Sequence, residues 1–491
     1  MNYVGLSSGF HDAAVSVISD CGDILFAGHS ERYSKNKHDK DICEELLHDA
    51  FQHTSSADLQ YHYYERPWLK SLRQLRSGEG FILPTWKKLL GSAYHQMDEP
   101  KIHTHSHHLS HAASGFQTST YDDATVVIID AIGEFDTISI YSAWYENGIA
   151  KYKKVWGRRY PDSIGLFYSA MTKRAGLRPL DEEYILMGMA AYGNVTPLRE
   201  MSDTLVESYK NITFKENMHI GLPDNFISDA SDMDIATSTQ LITEQLIMSV
   251  MSKARMMTGS KNLVYGGGVA LNCSANRLLG EYYSNIWIMP NPGDAGSSLG
   301  AACLGYGKRV NWTNSYLGHD IPGPYPTNRI LDVLLIDKIA GVASGKAEFG
   351  PRALGNRSLL ADPRGKEIKD KVNEIKRRQK FRPFAPIILE EYADTYFDMP
   401  KGFSNSRYMQ VISRCKVPEL FPAIVHHDNT SRVQTVPKDG SGIRELLEKW
   451  YVLTGCPMLL NTSLNIRGEP MVNDRTDADR FEKLYNVPVI S

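Results

Sequence analysis

Five of the sixteen histidines fall within nine residues, in HTHSHHLSHAASGF: His103, His105, His107, His108 and His111. If residues 106–116 are helical, His107 and His111 stand at i, i+4 on one face and can ligate one ion. His108 and His111, at i, i+3, are the competing pair. Nineteen residues after His111, Asp130 ends an apolar strand, and Asp294 sits in a Gly-rich turn after another. Two imidazoles and two carboxylates make a mixed N/O set suited to a divalent transition metal such as iron, manganese or zinc. The plain alternative is a histidine-rich helix facing solvent.

Two glycine loops offer different chemistry. GGGVALNCSAN, with Gly266, Gly267, Gly268 and Asn272, and GDAGSSLG, with Gly293 and Asp294, both follow strands and lead into helical patterns. That geometry points backbone N–H groups at an anion. Neither loop is a P-loop, because no Gly-Lys-Ser/Thr follows, and neither fits GxGxxG. A third group lies in GKAEFGPRALGNRSLLADPR, KRRQKFRPFAP, HHDNTSRVQTV and LLNTSLNIRGEP. Arg352, Arg382 and Arg432 stand there in apolar or Gly-Pro contexts, where clustered guanidinium groups would clamp phosphate oxygens. The alternative is a set of buried ion pairs with Glu348, Asp362 and Glu469.

The elements that must position these residues read as α/β. NYVGLSS, AAVSVIS and ILFAGHSE are short strands separated by the turns GFHD and DCGD. ATVVIID and TISIYSAWY repeat that opening, which suggests a duplicated core. With two glycine loops in such a core, an actin-like ATPase arrangement with nucleotide in the cleft is expected. Helical patterns cover 165–191 and 236–258, and VALNCSANRLLG reads as helix-like. The Asn-, Gly- and Pro-rich stretch at 312–330 reads as an interdomain connection.

With 491 residues, 42% hydrophobic and 23% charged, the chain has room for two or three domains. Six scattered cysteines without a CxxC pair suggest a reducing cytoplasm and argue against a zinc ribbon. No basic n-region precedes the first apolar stretch, and no apolar run is long enough to cross a bilayer, so a cytoplasmic protein with no membrane partner is expected. The net charge of −3 hides an island between Lys346 and Arg382 with 12 Lys/Arg against 5 Asp/Glu. Such an island suits a small anionic substrate or nucleic acid.

GFHDAAVSVI, HHLSHAASGF, GGGVALNCSAN, FGPRALGNRSLLADPR, FRPFAP, TSRVQTV and NTSLNIRGEP together resemble the O-carbamoyltransferase family of nodulation-factor, cephalosporin and aminoglycoside carbamoyltransferases. The resemblance spans nearly the whole chain. It implies an actin-like (ASKHA) duplicated α/β domain over 1–315, of the metal-containing kind found in tRNA threonylcarbamoyladenosine synthases. A linker at 316–332 would follow, then a C-terminal α/β YrdC-like domain over 333–491 that forms a carbamoyl-adenylate. Lys376-x-Arg378 and Ser463-x-Asn465 are similar to that fold's KxR and SxN signatures.

Carried over by residue, the resemblance implies a metal, iron favoured with manganese, magnesium or zinc as substitutes, on His107, His111, Asp130 and Asp294. It places carbamoyl phosphate against Arg352, Lys376, Arg378, Arg382 and Arg432, and has His11 and Asp12 work on the acceptor hydroxyl. One departure stands out. EEYILMGMAAYG carries Ile185 where the family often has a lysine.

The implied reaction consumes ATP and carbamoyl phosphate and carbamoylates a hydroxyl. Residues 61–94 interleave six Lys/Arg with seven aromatics and only two acids, a pattern that suits nucleic acid. The compact chain is also similar to short phage-borne members, which implies 5-hydroxymethylcytosine in DNA as one acceptor. A sugar or antibiotic hydroxyl is the other, with threonylcarbamoyl transfer to tRNA as a rival activity. A monomer or homodimer is expected.

Overall fold

The β-branched runs at the N-terminus form strands Asn2–Ser7, Ala14–Ser19 and Ile24–His29, buried along most of their length. The computed structural model describes residues 1–54, 56–81, 83–98, 100–223 and 225–491. The three strands pair antiparallel, and Leu59–Tyr63 and Ile102–Thr104 then extend the sheet parallel to the first strand. Asp123–Ile129, Asp136–Glu146 and Ile149–Arg159 repeat the antiparallel meander, and Asn262–Gly266 and Asn285–Ile288 repeat the parallel extension. With strands numbered by order within each sheet, both run third, second, first, fourth, fifth. The same sheet topology thus occurs twice.

Helix Asp232–Thr258 covers the second sheet, opened by the Ser231 side chain and closed by Gly259 in the left-handed region. The helix of Gly296–Tyr306 is the joint of the molecule. Added Cβ atoms at Gly5 and Gly300 would sit 1.8 Å from the backbone oxygens of Ser298 and Ser110, so this helix meets the first strand and helix His107–Phe116 backbone to backbone. The approach holds Asp294, just before the helix, beside the histidines. Gly300→Ala is therefore expected to destabilise the fold by about 1–3 kcal/mol through overpacking. Thermal unfolding of the variant checks this, and an unchanged midpoint would contradict it.

VALNCSANRLLG is not one helix. It breaks into short turns at Gly268–Leu271, Cys273–Asn276 and Leu279–Glu281, because the Asn272 side chain caps the Ala275 amide and starts a new turn. The stretch 316–332 is also more ordered than a linker. Tyr316–Ile321 is a strand paired antiparallel with Gly345–Glu348, and helix Thr327–Asp337 begins before the stretch ends. Its prolines and Gly323 lie in the turn between them, while Gly318 is inside the strand.

Beyond it lies a six-stranded mixed sheet in the order Gln434–Val436, Ala385–Leu389, Met458–Ser463, Arg357–Ala361, Ile339–Ala343, Val489–Ile490. Its apolar residues, from Ile321 to Ile490, form a core of their own around the fully buried Trp450. The α/β class read from the sequence is what the strands and helices form.

Candidate active site

The site sits where strands of both N-terminal sheets end. Helix His107–Phe116, opened at Ser106, carries His107 and His111 on its buried face. Asp130 follows the first strand of the second sheet, and Asp294 follows the fifth. His107 Nε2 lies 3.1 Å from Asp130 Oδ2, 3.4 Å from Asp294 Oδ1 and 3.1 Å from His111 Nε2. His111 Nε2 lies 3.5 Å from Asp130 Oδ2 and 3.3 Å from Asp294 Oδ1. An ion that binds N and O at about 2.0–2.2 Å in a tetrahedron needs donors about 3.3–3.6 Å apart, so this donor set fits a divalent cation.

Supporting groups lie behind it. Ser297 Oγ is 3.0 Å from His111 Nδ1, and Glu65, itself paired with buried Lys70 at 2.7 Å, stands 3.5 Å from His107 Nδ1. Such partners fix imidazole orientation. His108 faces away, with Nδ1 2.8 Å from Ser139 Oγ. His103 and His105 stack on His62 and take no part.

The GFHD turn brings His11 and Asp12 to the same opening. Asp12 adopts φ 55°, a left-handed conformation that aspartate tolerates. Its carboxylate lies 2.9 Å from His11 Nδ1 and 2.8 Å from His38 Nδ1, and His38 Nε2 reaches Asp181 at 3.0 Å. A carboxylate only accepts, so His11 Nδ1 carries the proton and Nε2 is left facing Asp294 at 3.9 Å. Burial disfavours charge on His38, but its two carboxylate partners prevail and push it up to about 10. Burial likewise opposes the His11 cation, yet Asp12, Asp294 and Asp130 raise its value above the ordinary one.

In the glycine loop after Gly266 two amides are taken by the protein itself. Gly267 N–H donates to Pro292 O at 2.9 Å and Gly268 N–H to Asp130 Oδ1 at 3.2 Å. Gly266 ends its strand, and Gly267, at φ 86°, passes Ile129 so closely that an added Cβ would lie 2.3 Å from its oxygen. Asn272 exchanges both amide hydrogen bonds with Gln240. These residues shape the wall and hold Asp130. Gly293, by contrast, is open, with nothing near an added Cβ.

The opposite wall is cationic. Arg352, Lys376, Arg378, Arg382 and Arg432 converge on one cavity of about 470 Å³ that also receives His11, Asp12, Asp130, Gly268, Asn272, Gly293, Asp294, Ser463 and Asn465. None of the five cations forms an ion pair among the described residues. Glu348 instead accepts from the amides of Leu354, Asn356 and Arg357, and Asp362 pairs with Arg364 at 2.8 Å. Burial, then Arg432, presses Arg352 down to about 9. Burial and neighbouring arginines lower Arg378 and Lys376 well below their ordinary values. Cations held together at such a cost can receive an anion.

Local structure explains the KxR spacing. Lys376 ends helix Lys366–Ile375, and Arg377 takes φ 50°, which turns the chain so that Arg378 points back to the cavity while Arg377 lies over Tyr485. Lys376 Nζ is already committed, 2.5–3.2 Å from the oxygens of Ser463 and Asn465. It ties the two signatures together. Ile185 is buried in the core beneath the cavity, whereas Lys37 lines the cavity and pairs with Asp181 at 2.5 Å.

Two family models match this chain: the carbamoyltransferase N-terminus over residues 60–303 and the carbamoyltransferase C-terminus over 332–489. The chain belongs to the carbamoyltransferase family. It is 32% identical to an uncharacterized protein of Synechocystis sp., over 97% of this chain and 93% of that one. Nodulation protein NolNO of Sinorhizobium fredii is 29% identical over 95% of this chain and 76% of its own. Nodulation protein NolO of Bradyrhizobium diazoefficiens is 31% identical, with 76% and 75% covered.

This carbamoyltransferase is thus an enzyme of the transferase class, and its cavity holds residues that sequence reasoning missed. His38, Lys37, Asp181 and Tyr184 line it, and Arg382 lies 4.7 Å over the Tyr184 ring. Arg467 crosses to Glu182 at 2.6 Å and links the two walls. The run KNKHDK, dense in polar residues beside the third strand, was the signal available for Lys37 and His38. Among the described residues, no helix of the carbamoyltransferase is long and apolar enough to cross a membrane.

Proposed function

We propose that the protein is an ATP-dependent O-carbamoyltransferase that converts carbamoyl phosphate to a carbamoyl-adenylate and passes the carbamoyl group to an acceptor hydroxyl. In this reading residues 1–315 are an actin-like (ASKHA) duplicated domain and 333–491 a YrdC-like domain. The observation that carries it is a single cavity lined by the unpaired cations of one domain and by His11, Asp12, Asp130 and Asp294 of the other. Both half-reactions can share this one space, so the carbamoyl-adenylate need not leave before it meets the acceptor.

Arg352, Arg378, Arg382 and Arg432 hold the donor and nucleotide phosphates. Water cleaves carbamoyl phosphate to carbamate and inorganic phosphate, a carbamate oxygen attacks the α-phosphorus of ATP, and pyrophosphate leaves. The acceptor oxygen then attacks the carbamoyl carbon while His11 Nε2 takes the hydroxyl proton, and AMP departs. His107, His111, Asp130 and Asp294 would hold a divalent ion, which supplies Lewis-acid polarisation of phosphate or carbamoyl oxygen when bound.

The test is to incubate the protein with ATP, carbamoyl phosphate and a panel of hydroxylated compounds, including sugars and hydroxymethylated pyrimidines in DNA. AMP, pyrophosphate and an acceptor heavier by one carbamoyl group in place of hydrogen are expected. Failure to form AMP with any acceptor would sink the reading. For the ion, His107→Ala and His111→Ala are each expected to lose nearly all bound metal, while His108→Ala keeps it, because only the i, i+4 pair faces Asp130 and Asp294. Elemental analysis of folded protein decides, and equal loss from all three variants would refute the assignment.

A further inference from the structure

Helix Pro67–Arg76 is built inside out. Its buried positions are Pro67, Lys70, Ser71 and Arg73, and its exposed face carries Trp68, Leu72 and Leu75 at i, i+4 and i+7, with exposures of 57%, 49% and 55%. Lys70 is neutralised inside by Glu65, and Arg73 by Glu79. The following loop continues the apolar face with Phe81 and Leu83, at 47% and 48%, and Phe81 lies 6.4 Å from the Trp68 ring. Five large apolar side chains exposed within sixteen residues are unusual for a protein surface left to water. Ile82 lies outside the described residues.

Exposed cations flank this apolar segment along the chain. Arg76, Lys87 and Lys88 are exposed and form no ion pair among the described residues, while the exposed carboxylate Glu79 is taken by Arg73. We propose that this face docks the protein on an anionic lipid surface, the leucines and Trp68 entering the headgroup boundary and the three cations meeting lipid phosphates.

The alternative of single-stranded nucleic acid needs several stacking platforms. Here Tyr61, Tyr63 and Tyr64 are buried, which leaves Trp68 and Phe81 exposed among aliphatic side chains. On the inner side of the helix Phe10, 45% exposed, lies with its ring 5.2 Å from the buried Lys70 ammonium.

The test uses the full chain without donor or nucleotide, so its result is independent of carbamoyl transfer. Co-sedimentation is expected with vesicles of phosphatidylcholine and phosphatidylglycerol, to be absent with phosphatidylcholine alone, and to be reversed by salt. Removing each cation, as in Lys87→Ala and Lys88→Ala, should weaken binding about fivefold. Leu72→Glu with Leu75→Glu should weaken it more than about tenfold. All four side chains are exposed, so thermal unfolding should be unchanged. Trp68→Phe should remove a blue shift in fluorescence seen on vesicle addition. Three results would overturn the proposal: no sedimentation with anionic vesicles, sedimentation that the double leucine variant leaves intact, or a concentration-dependent dimer that the same variant dissociates.

Discussion

Alanine at Arg352 or at Arg432 is expected to abolish the pyrophosphate release that depends on ATP and carbamoyl phosphate. The two guanidinium groups line one cavity without a carboxylate partner, and burial, then the neighbouring Arg432, depresses Arg352. Only a bound anion relieves that arrangement. Loss of one charge-assisted contact costs about 1.5–3 kcal/mol in binding. Where negative charge develops in the transition state, loss of a donor costs about 10²–10³ in turnover.

Two other arginines serve as controls. Arg357, fully buried, donates to the carbonyls of Asn473, Ser344, Gly345, Asn356 and His319, so Arg357→Ala should lower the unfolding temperature before any kinetic effect is seen. Arg377, exposed and over Tyr485, should be silent when replaced. If Arg352→Ala or Arg432→Ala releases pyrophosphate at the unmodified rate, the donor site lies elsewhere.

The basic island between Lys346 and Arg382 shows what the sequence could and could not reveal. As a block of charge it suggested one anion site. In the structure it divides three ways: Arg352, Lys376, Arg378 and Arg382 reach the cavity, Arg357 and Arg364 are tied to carbonyls and Asp362, and the lysines of helix Lys366–Ile375 mostly face solvent. Charge count cannot make that division, because it depends on a single left-handed residue, Arg377, and on which strand each arginine follows.

The histidine spacing was more legible. Helix periodicity alone put His107 and His111 on one face, and the resemblance favoured His107 over His108; the physical reason, that His107 meets Asp130 and Asp294 while His108 meets Ser139, lies in the packing. That in turn depends on Gly300, where backbone contact with Ser110 sets the distance between two helices far apart in sequence. The glycine loop is held by a related set of contacts. Gly-rich turns after strands often present amides to anions, but here the amides of Gly267 and Gly268 bond Pro292 and Asp130. The His38–Asp181 contact joins residues 143 apart, and nothing local announces it.

The second large effect is expected at His11, where asparagine should separate the two half-reactions. An alcohol is a poor nucleophile at neutral pH, and general-base help is worth about 10²–10⁴-fold. Asp12 fixes the ring by taking Nδ1, at 2.9 Å, and His38 and Asp181 fix Asp12 in turn. This leaves Nε2 as the nitrogen that meets the acceptor. Adenylate formation needs no such base, because the carbamate oxygen is already anionic. The variant His11→Asn keeps a polar side chain of similar reach and leaves the cation wall untouched. It should still bind metal and consume carbamoyl phosphate slowly, with AMP appearing through hydrolysis of the adenylate while carbamoylated acceptor falls by about 10²–10⁴. The rival reading makes His11 a residue that merely holds the GFHD turn. In that case the turn would loosen, Asp12 and His38 would lose their register, and both products would fall together. Measuring AMP and carbamoylated acceptor side by side separates the two: a proportional loss would remove His11 from the role of acceptor base.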